Sequence, residues 1–411
     1  MKPTLADLRA QCPDIPEPAL NEYLARLDET YFAVFNLPQM YAHLRVLERL
    51  RPEQPVEVIF EPGPEGQTAC TVLAFDYPAE FSLITGVLSA MGFDILSGDV
   101  FTYAHAKAAT AAPRHRRSES NDEILLKRRK IIDRFSGVIR HNLAPEDWRR
   151  EFGKRLEEVI GLLEARSAGC ARNAEGQTEA RHKVNELVAG RLAELDLAKL
   201  PVLYPVSMDI DTRAGYTHLR VLAQDTPAFL YAMSTALALQ GVSIERVRIR
   251  TVEGRVEDEM DVLDGNGHAL TEGSASLDRI RLAVLLTKQF TYFVGHAPDP
   301  YAALCRFEQM VDAVLKLPER GQWVEMFSNP RTLQDLARLL GASDFVWEDF
   351  VRLQYESLLP MLQPHVAGHR FARTAAEQEA DLQECLHGES RFEEQGRRLN
   401  AFYFSSIWTI F

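Results

Sequence analysis

One eight-residue stretch occurs twice in this chain. Residues 72–79 read Val-Leu-Ala-Phe-Asp-Tyr-Pro-Ala, and residues 221–228 read Val-Leu-Ala-Gln-Asp-Thr-Pro-Ala. The offset is 149 positions, and it continues without a gap, so that Gly92 corresponds to Gly241 and Thr102 to Thr251. Two copies in a fixed register indicate one supersecondary unit that is used twice.

Each copy has the pattern of a strand, a tight turn and a helix. In the second copy, residues 217–223 are a short apolar run that is typical of a buried strand. Pro227 ends that strand because proline cannot donate to a sheet, and Thr226 is placed to cap the helix that follows. Gly241 falls where a glycine would close the helix, because glycine adopts positive φ freely.

The residues after this helix predict two further strands and a second helix. Within residues 243–251, Val247, Ile249 and Thr251 alternate with three arginines. Ile244 is out of phase, which predicts a β-bulge or a later strand start. Residues 255–263 are the next predicted strand, and residues 276–286 the next helix. The predicted fold class is therefore α+β, with two ferredoxin-like (βαββαβ) units flanked by all-α segments.

The repeated motif resembles the ACT domain. It reads Asp-x-Pro-Ala, then a glycine one helix later, then a strand of the form Ile-x4-[Val/Ile]-x-Thr. The two copies in one chain are similar to the tandem ACT pair of bacterial PII uridylyltransferases. ACT domains are regulatory modules that bind an amino acid at the strand-to-helix turn, and in the nitrogen-regulating enzymes this ligand is glutamine. The candidate ligand-binding residues that the resemblance implies are Asp76, Pro78, Ala79, Asp225, Pro227 and Ala228.

One position of the motif departs from the family. The family usually has glycine after the proline of this turn, which lets a ligand approach the backbone closely. Here Ala79 and Ala228 place a methyl group at that point in both copies. The alternative that both copies only pair, or form a dimer, without a ligand stays open.

The remaining segments are assigned from their patterns. Residues 1–55 form an N-terminal helical segment, with helices expected over 5–10, 19–27 and 37–50. Residues 56–212 form the first ACT-like unit, interrupted by a disordered loop at about 105–128 and by helices over 145–196. Residues 129–139 are its expected third strand and 201–211 its fourth. Residues 213–290 form the second unit.

Residues 291–401 are predicted to be a helical domain. Residues 329–345 resemble the helical segment before the catalytic core of glutamine synthetase adenylyltransferases, and Arg398-Leu399-Asn400 resembles the point where that core follows. Residues 402–411 are apolar, aromatic and uncharged, and resemble neither family. We interpret them as the product of a truncated or frame-shifted reading frame; the alternative is a segment that docks on the helical domain.

Charge and cysteine content restrict the class of protein. A net charge of −13 argues against non-specific binding of nucleic acid. The five cysteines are scattered, without a CxxC pair, as expected of reduced thiols in a cytoplasmic protein. No apolar run reaches the roughly 20 residues that a membrane span needs, so we expect no membrane partner.

No stretch of the chain has the pattern of a catalytic or metal centre. The compact Asp209-Ile210-Asp211 lacks a phosphate-seating glycine turn, so we interpret it as the loop between the two units. The acidic run at 257–261 is interpreted as a solvated strand face, His365 and His369 as a surface pair, and His43 as a surface or packing residue. We therefore predict no cofactor, no metal and no catalytic residue.

The predicted function follows from the repeat and the resemblance. The chain is interpreted as a regulatory amino-acid-sensing protein of nitrogen metabolism, and as the N-terminal portion of a nucleotidyltransferase. The implied partners are a small amino acid, with glutamine as first candidate, and glutamine synthetase or a PII protein, with homo-oligomers through the ACT units. The alternatives are an active adenylyltransferase or uridylyltransferase, and an ACT-mediated dimerisation module without a ligand.

Overall fold

A computed structural model describes most of the first 314 residues and a short segment beyond them. The described ranges are 2–104, 128–165, 170–195, 207–213, 215–270, 297–314 and 330–342, with single positions between 277 and 294. The chain divides into two compact units, of which the first comprises residues 1–191 and 202–285, and the second residues 192–201 and 286–411. Residues 105–127 of the loop predicted at about 105–128 lie outside the described residues, as do the pair His365 and His369 and the tail at 402–411.

The described residues form ten α-helices and eight strands, together with one turn of 3-10 helix at Pro64–Gly66. The helices are α1 (Leu5–Gln11), α2 (Glu17–Arg26), α3 (Glu29–Val34), α4 (Leu37–Arg49), α5 (Glu80–Ala90), α6 (Pro145–Ala165), α7 (Cys170–Glu194), α8 (Phe229–Leu239), α9 (Pro300–Val314) and α10 (Pro330–Leu340). The strands are β1 (Val56–Pro62), β2 (Thr68–Phe75), β3 (Phe93–Thr102), β4 (Lys130–Ile139), β5 (Ser207–Arg213), β6 (Tyr216–Gln224), β7 (Ser243–Val252) and β8 (Arg255–Leu263).

All eight strands belong to one antiparallel sheet, so the protein is of mixed α/β type. Their order across the sheet is β1-β2-β4-β3-β7-β8-β6-β5. The first repeat supplies β1–β4 and the second β5–β8, and the two halves join where β3 pairs with β7. In each half a helix links two strands that have a third strand between them, which is the split β-α-β arrangement.

The edge strands differ from the sequence-based expectation. Residues 201–211 were expected to provide the fourth strand of the first unit, but β5 pairs with β6 and so extends the second repeat. The first repeat takes its edge strand from β1, which reaches β2 through a short connection and forms a hairpin with it. Strands that are close in sequence pair readily because little chain has to be ordered between them. Asp209 and Asp211 accordingly lie on a strand and not in a loop.

The two halves of the sheet are related by a pseudo-twofold axis. Asp99 lies opposite Arg248 in the β3–β7 pair, and these residues occupy the same position of the two repeats. On the helices above the sheet, Thr85 Oγ1 lies 3.3 Å from Ser234 Oγ, again between equivalent positions. The repeats therefore pair with each other as the subunits of a symmetric dimer do.

Two local features predicted from the repeat are confirmed. The register shifts between Ile244 and Arg246 in the second copy, which is the predicted bulge, and it shifts at the equivalent point of the first copy. Gly92 and Gly241 both have φ of +68° just after their helices. A Cβ atom on Gly92 would lie 2.5 Å from the carbonyl oxygen of Arg140, so only glycine fits that position.

The first half of the sheet is covered on both faces. On one face Phe135 of β4 stacks on Phe81 of α5, and on the other Phe101 of β3 packs against Tyr31 and Phe35 of the N-terminal helices. The continuous apolar run of β2 fits this double burial. In the second half, β7 buries Val247 and Ile249 on the helix side and exposes its three arginines on the other face.

The N-terminal segment contains the three predicted helices and a fourth, α3, which sequence patterns missed. His43 of α4 is buried, and its Nδ1 lies 2.9 Å from the Tyr31 hydroxyl. Burial, with a smaller effect of Arg134, lowers the pKa of His43 to about 3. His43 is therefore a neutral packing residue.

In the second unit, the described residues are mostly helical. Helix α9 buries Leu304, Phe307, Met310 and Val311. The guanidinium of Arg306 donates a 2.5 Å hydrogen bond to the Leu340 carbonyl at the end of α10. None of the helices in the described ranges is long and apolar enough to cross a membrane.

Candidate ligand-binding site

The two strand-to-helix turns have nearly the same backbone conformation. Ala79 (φ 64°, ψ 10°) and Ala228 (φ 57°, ψ 23°) are both left-handed, and each is the N-cap of its helix without a side-chain hydrogen bond. The helices thus begin at Glu80 and Phe229. The expectation that Thr226 caps the second helix is wrong, because the left-handed residue after the proline delays the helix start beyond the reach of the threonine.

This conformation is strained for alanine. A left-handed residue with a Cβ costs about 1–2 kcal/mol, whereas glycine adopts it freely. Matching hydrogen bonds hold both turns: the Asp76 N–H donates to the Arg129 carbonyl at 3.0 Å, and the Asp225 N–H donates to the Gly254 carbonyl at 2.9 Å. Both repeats therefore keep one backbone geometry at Ala79 and Ala228.

A cavity of about 730 Å³ lies between the first turn and the second repeat. One wall is the turn itself, residues 76–82; the opposite wall comprises residues 241–245 at the start of β7 and the loop 264–267. Its volume is in the range of ligand pockets, roughly 300–1,000 Å³. Asp76, Pro78 and Ala79 line the cavity, whereas Asp225, Pro227 and Ala228 belong to the other turn and do not line it.

Arg129 connects the two walls of this cavity. Its Nε lies 3.0 Å from Asp76 Oδ2 on the first turn, and its Nη2 lies 2.5 Å from Glu245 Oε2 in the bulge of β7. All three side chains are mostly buried, which makes ion pairs stronger than on an open surface. Arg129 and Glu245 could not be recognised from the sequence, because no local pattern brings together residues that are 116 positions apart.

Two further carboxyl groups lie beneath the first turn. Glu80 accepts a 2.9 Å hydrogen bond from the Tyr77 N–H, and Asp133 of β4 is almost fully buried. Burial raises the pKa of Glu80 and of Asp133 well above the usual range, and the negative charge of Asp76 raises both pKa values further. Burial thus favours the protonated, uncharged form of both carboxyl groups. Asp133 Oδ1 has no hydrogen-bond partner among the described residues.

The second repeat has a buried carboxyl group at the corresponding place. Asp258 lies opposite Val221 on the sheet, as Asp133 lies opposite Val72. Burial raises the pKa of Asp258 to about 7, although the Arg250 N–H donates a 3.1 Å hydrogen bond to its carboxylate. The interpretation of residues 257–261 as a solvated face is wrong for Asp258, because strand alternation turns it toward α8 while Glu257 faces solvent.

Tyr77 fixes the first turn to helix α6. Its hydroxyl hydrogen-bonds to Glu164 of α6, and Glu164 also pairs with Arg128 at 2.8 Å. Arg128 in turn lies over the ring of Phe75, 3.8 Å from its centre. The turn is thereby anchored before any ligand binds. In the described part of the chain, no group of three His, Cys, Asp or Glu residues is arranged to hold a metal ion.

The fold and the cavity define a paired-repeat α/β protein with a small-molecule-sized site between its repeats. Comparison with curated proteins relates the chain distantly to bifunctional uridylyltransferase/uridylyl-removing enzymes. It is 24% identical over 274 residues to the enzyme of Rhodopseudomonas palustris, which covers 65% of this chain and 25% of that protein. It is 25% identical over 265 residues to that of a Bradyrhizobium species, covering 63% and 24%.

A third relative is the enzyme of the same name from Burkholderia mallei, 29% identical over 188 residues, which covers 40% of this chain and 21% of that protein. The chain thus matches about a quarter of the length of these relatives. No family model matches the chain. No solved structure matches it either.

Proposed function

We propose that this chain is an amino-acid-sensing regulatory protein of nitrogen metabolism, with two ACT units whose strands are β1–β4 and β5–β8. The observation that carries the proposal is the cavity between repeats, one wall of which is the repeated Asp-x-Pro-Ala turn. The distant relation to uridylyltransferase/uridylyl-removing enzymes supports the nitrogen-regulation context.

The two walls of the cavity suggest how a ligand is sensed. A molecule between the first turn and residues 241–245 contacts both repeats at once. Such a ligand binds most tightly to one arrangement of the repeats, and it therefore shifts the population toward that arrangement. In the complete protein this shift would couple amino-acid concentration to an activity elsewhere.

The partners of the proposed function come from the resemblance. A PII protein is the first candidate target and glutamine synthetase the second, and glutamine is the first ligand to test. The chain corresponds to a regulatory portion of a nucleotidyltransferase, and a complete active enzyme is the rival proposal. A catalytic role would require uridylyl transfer to a PII protein by the isolated chain.

A second candidate function is pairing without a ligand. The symmetric contact of β3 with β7 favours this function. The strands and helices at this contact pair the two repeats within one chain, as they would pair two subunits in a dimer. Under this alternative the cavity binds no small molecule. The two proposals therefore differ in whether the chain binds an amino acid.

The test is thermal denaturation of the full chain with each proteinogenic amino acid, followed by calorimetric titration of those that raise the midpoint. We expect one amino acid to stabilise the protein saturably, by RT ln(1 + [L]/Kd). Glu257→Gln is the control variant, since Glu257 is exposed on β8 and does not line the cavity. If no amino acid binds at millimolar concentration, the sensing function is rejected.

A further inference from the structure

The two turns share a backbone but differ in the charged side chains around them. The residue whose carbonyl accepts the turn N–H is Arg129 in the first repeat and Gly254 in the second. By the same 149-residue offset, Glu245 of the second repeat corresponds to Leu96 of the first, and Glu80 to Phe229. Asp76, Arg129 and Glu245 form an ion-pair bridge at the first turn. The residues at the equivalent positions around the second turn cannot form such a bridge.

This bridge has the charges that recognise an α-amino acid. The ligand head group carries an ammonium and a carboxylate on the same carbon, so its site needs an anion and a cation side by side. Arg129 offers the fork that binds carboxylates, and Asp76 and Glu245 offer acceptors for an ammonium. Around the second turn, the positions equivalent to Arg129 and Glu245 are Gly254 and Leu96, which offer neither charge.

Insertion of a zwitterionic amino acid leaves the net charge of the bridge unchanged. The ligand carboxylate replaces one protein carboxylate on Arg129, and the ligand ammonium neutralises the carboxylate that is released. No charge is left buried and unpaired, which is the outcome that costs several kcal/mol. The exchange also replaces one of the two ion-pair contacts of Arg129, so the bridge itself responds to the ligand.

We propose that the chain binds one amino acid, at the first turn only, with Arg129 holding its α-carboxylate and Asp76 and Glu245 holding its α-ammonium. The inference rests on the proposed sensing function and specifies its site. It assigns Arg129 and Glu245 to ligand recognition. The second turn, which is related to the first by the pseudo-twofold axis, binds no ligand.

The test is calorimetric titration of the full chain with the amino acid that gives the largest thermal stabilisation. We expect a stoichiometry of one. Glu245→Gln keeps the shape of the side chain and removes its charge, and it should weaken binding at least about tenfold, equivalent to about 1.4 kcal/mol. Arg129→Gln should do the same, whereas Asp225→Asn at the second turn should leave the affinity within about twofold.

Two further measurements make the result decisive. Analogues of the ligand that lack the α-amino group, or carry an amide in place of the α-carboxylate, should bind at least about tenfold more weakly. Circular dichroism and the thermal midpoint without ligand show whether each variant is folded, and Glu245→Gln serves if Arg129→Gln is not.

Three outcomes would overturn the inference. A stoichiometry of two, or equal weakening by Asp225→Asn and Glu245→Gln, would do so while the sensing function stands. Absence of binding by every amino acid would remove the sensing function together with it.

Discussion

Asp99 and Arg248 occupy the same position of the two repeats and lie directly opposite each other where β3 meets β7. The pseudo-twofold axis of the sheet passes between them. Of these two equivalent residues, one is acidic and the other is basic. A symmetric pair of identical residues would place like charges in contact, which destabilises a sheet. The divergence of the repeats at this point thus favours pairing of unlike copies within one chain.

The first prediction concerns this central pair. Asp99→Arg places a third arginine beside Arg248 and Arg134, so it should lower the free energy of unfolding by about 1 kcal/mol. Arg248→Asp added to it restores opposite charges and should recover at least half of the loss. Urea denaturation of the single and double variants measures both. If the double variant is less stable than Asp99→Arg, the proposed pairing of charges is wrong.

The second prediction concerns the contact between helices α5, α7 and α8. A Cβ atom on Gly86 of α5 would lie 2.2 Å from Val184 Cγ1 and 2.8 Å from the Tyr231 ring. Gly86→Ala should therefore lower the free energy of unfolding by about 1–3 kcal/mol, as overpacking does. Gly153→Ala in α6, where a Cβ meets nothing within 4 Å, should raise it by about 0.5–1 kcal/mol. Equal effects of the two substitutions would contradict this packing.

The third prediction concerns the left-handed alanines. Ala79→Gly and Ala228→Gly remove the strain of the Cβ atom but add flexibility to the unfolded chain, so each should raise the free energy of unfolding by up to about 1 kcal/mol. Ala232→Gly, in the interior of α8, should lower it by about 1 kcal/mol or more. Thermal and urea denaturation distinguish the two groups. Loss of stability in Ala79→Gly comparable to that in Ala232→Gly would show that the turn is not strained.

The fourth prediction concerns pH. Because the pKa of Asp258 is about 7 in the folded protein and near 3.8 when unfolded, the folded state binds more protons between these values. Its contribution to stability is therefore complete below about pH 4 and is lost as the pH rises to about 7. Asp258→Asn should reduce the slope of unfolding free energy against pH in this window. Glu257→Gln is the control, and an unchanged slope in Asp258→Asn would refute the assignment.

Much of the fold could be read from the repeat. The strand, the turn and the helix recur because the same residues recur. The bulge at Ile244 likewise recurs at Ile95 in the first repeat. A local sequence pattern determines each of these features. The edge strands could not be placed in this way. Several pairings satisfy the same alternation of apolar residues, and only the three-dimensional sheet shows that β5 joins β6.

The candidate site was predictable only in part. The turn residues Asp76, Pro78 and Ala79 were found because they repeat. Arg129 and Glu245 do not repeat, and it is the loss of symmetry at these positions that distinguishes the first turn from the second. Asp258 was misread because an acidic run on a strand looks solvated until the face that packs under α8 is known.

Hydrogen exchange of the full chain, with and without the stabilising amino acid, tests the central claim most directly. The claim is that the ligand contacts both repeats within one cavity. The account predicts slower exchange in residues 76–83 and 241–245 together, with no change in residues 225–231. Slower exchange at only one of the two walls, or at neither for any amino acid, would contradict it.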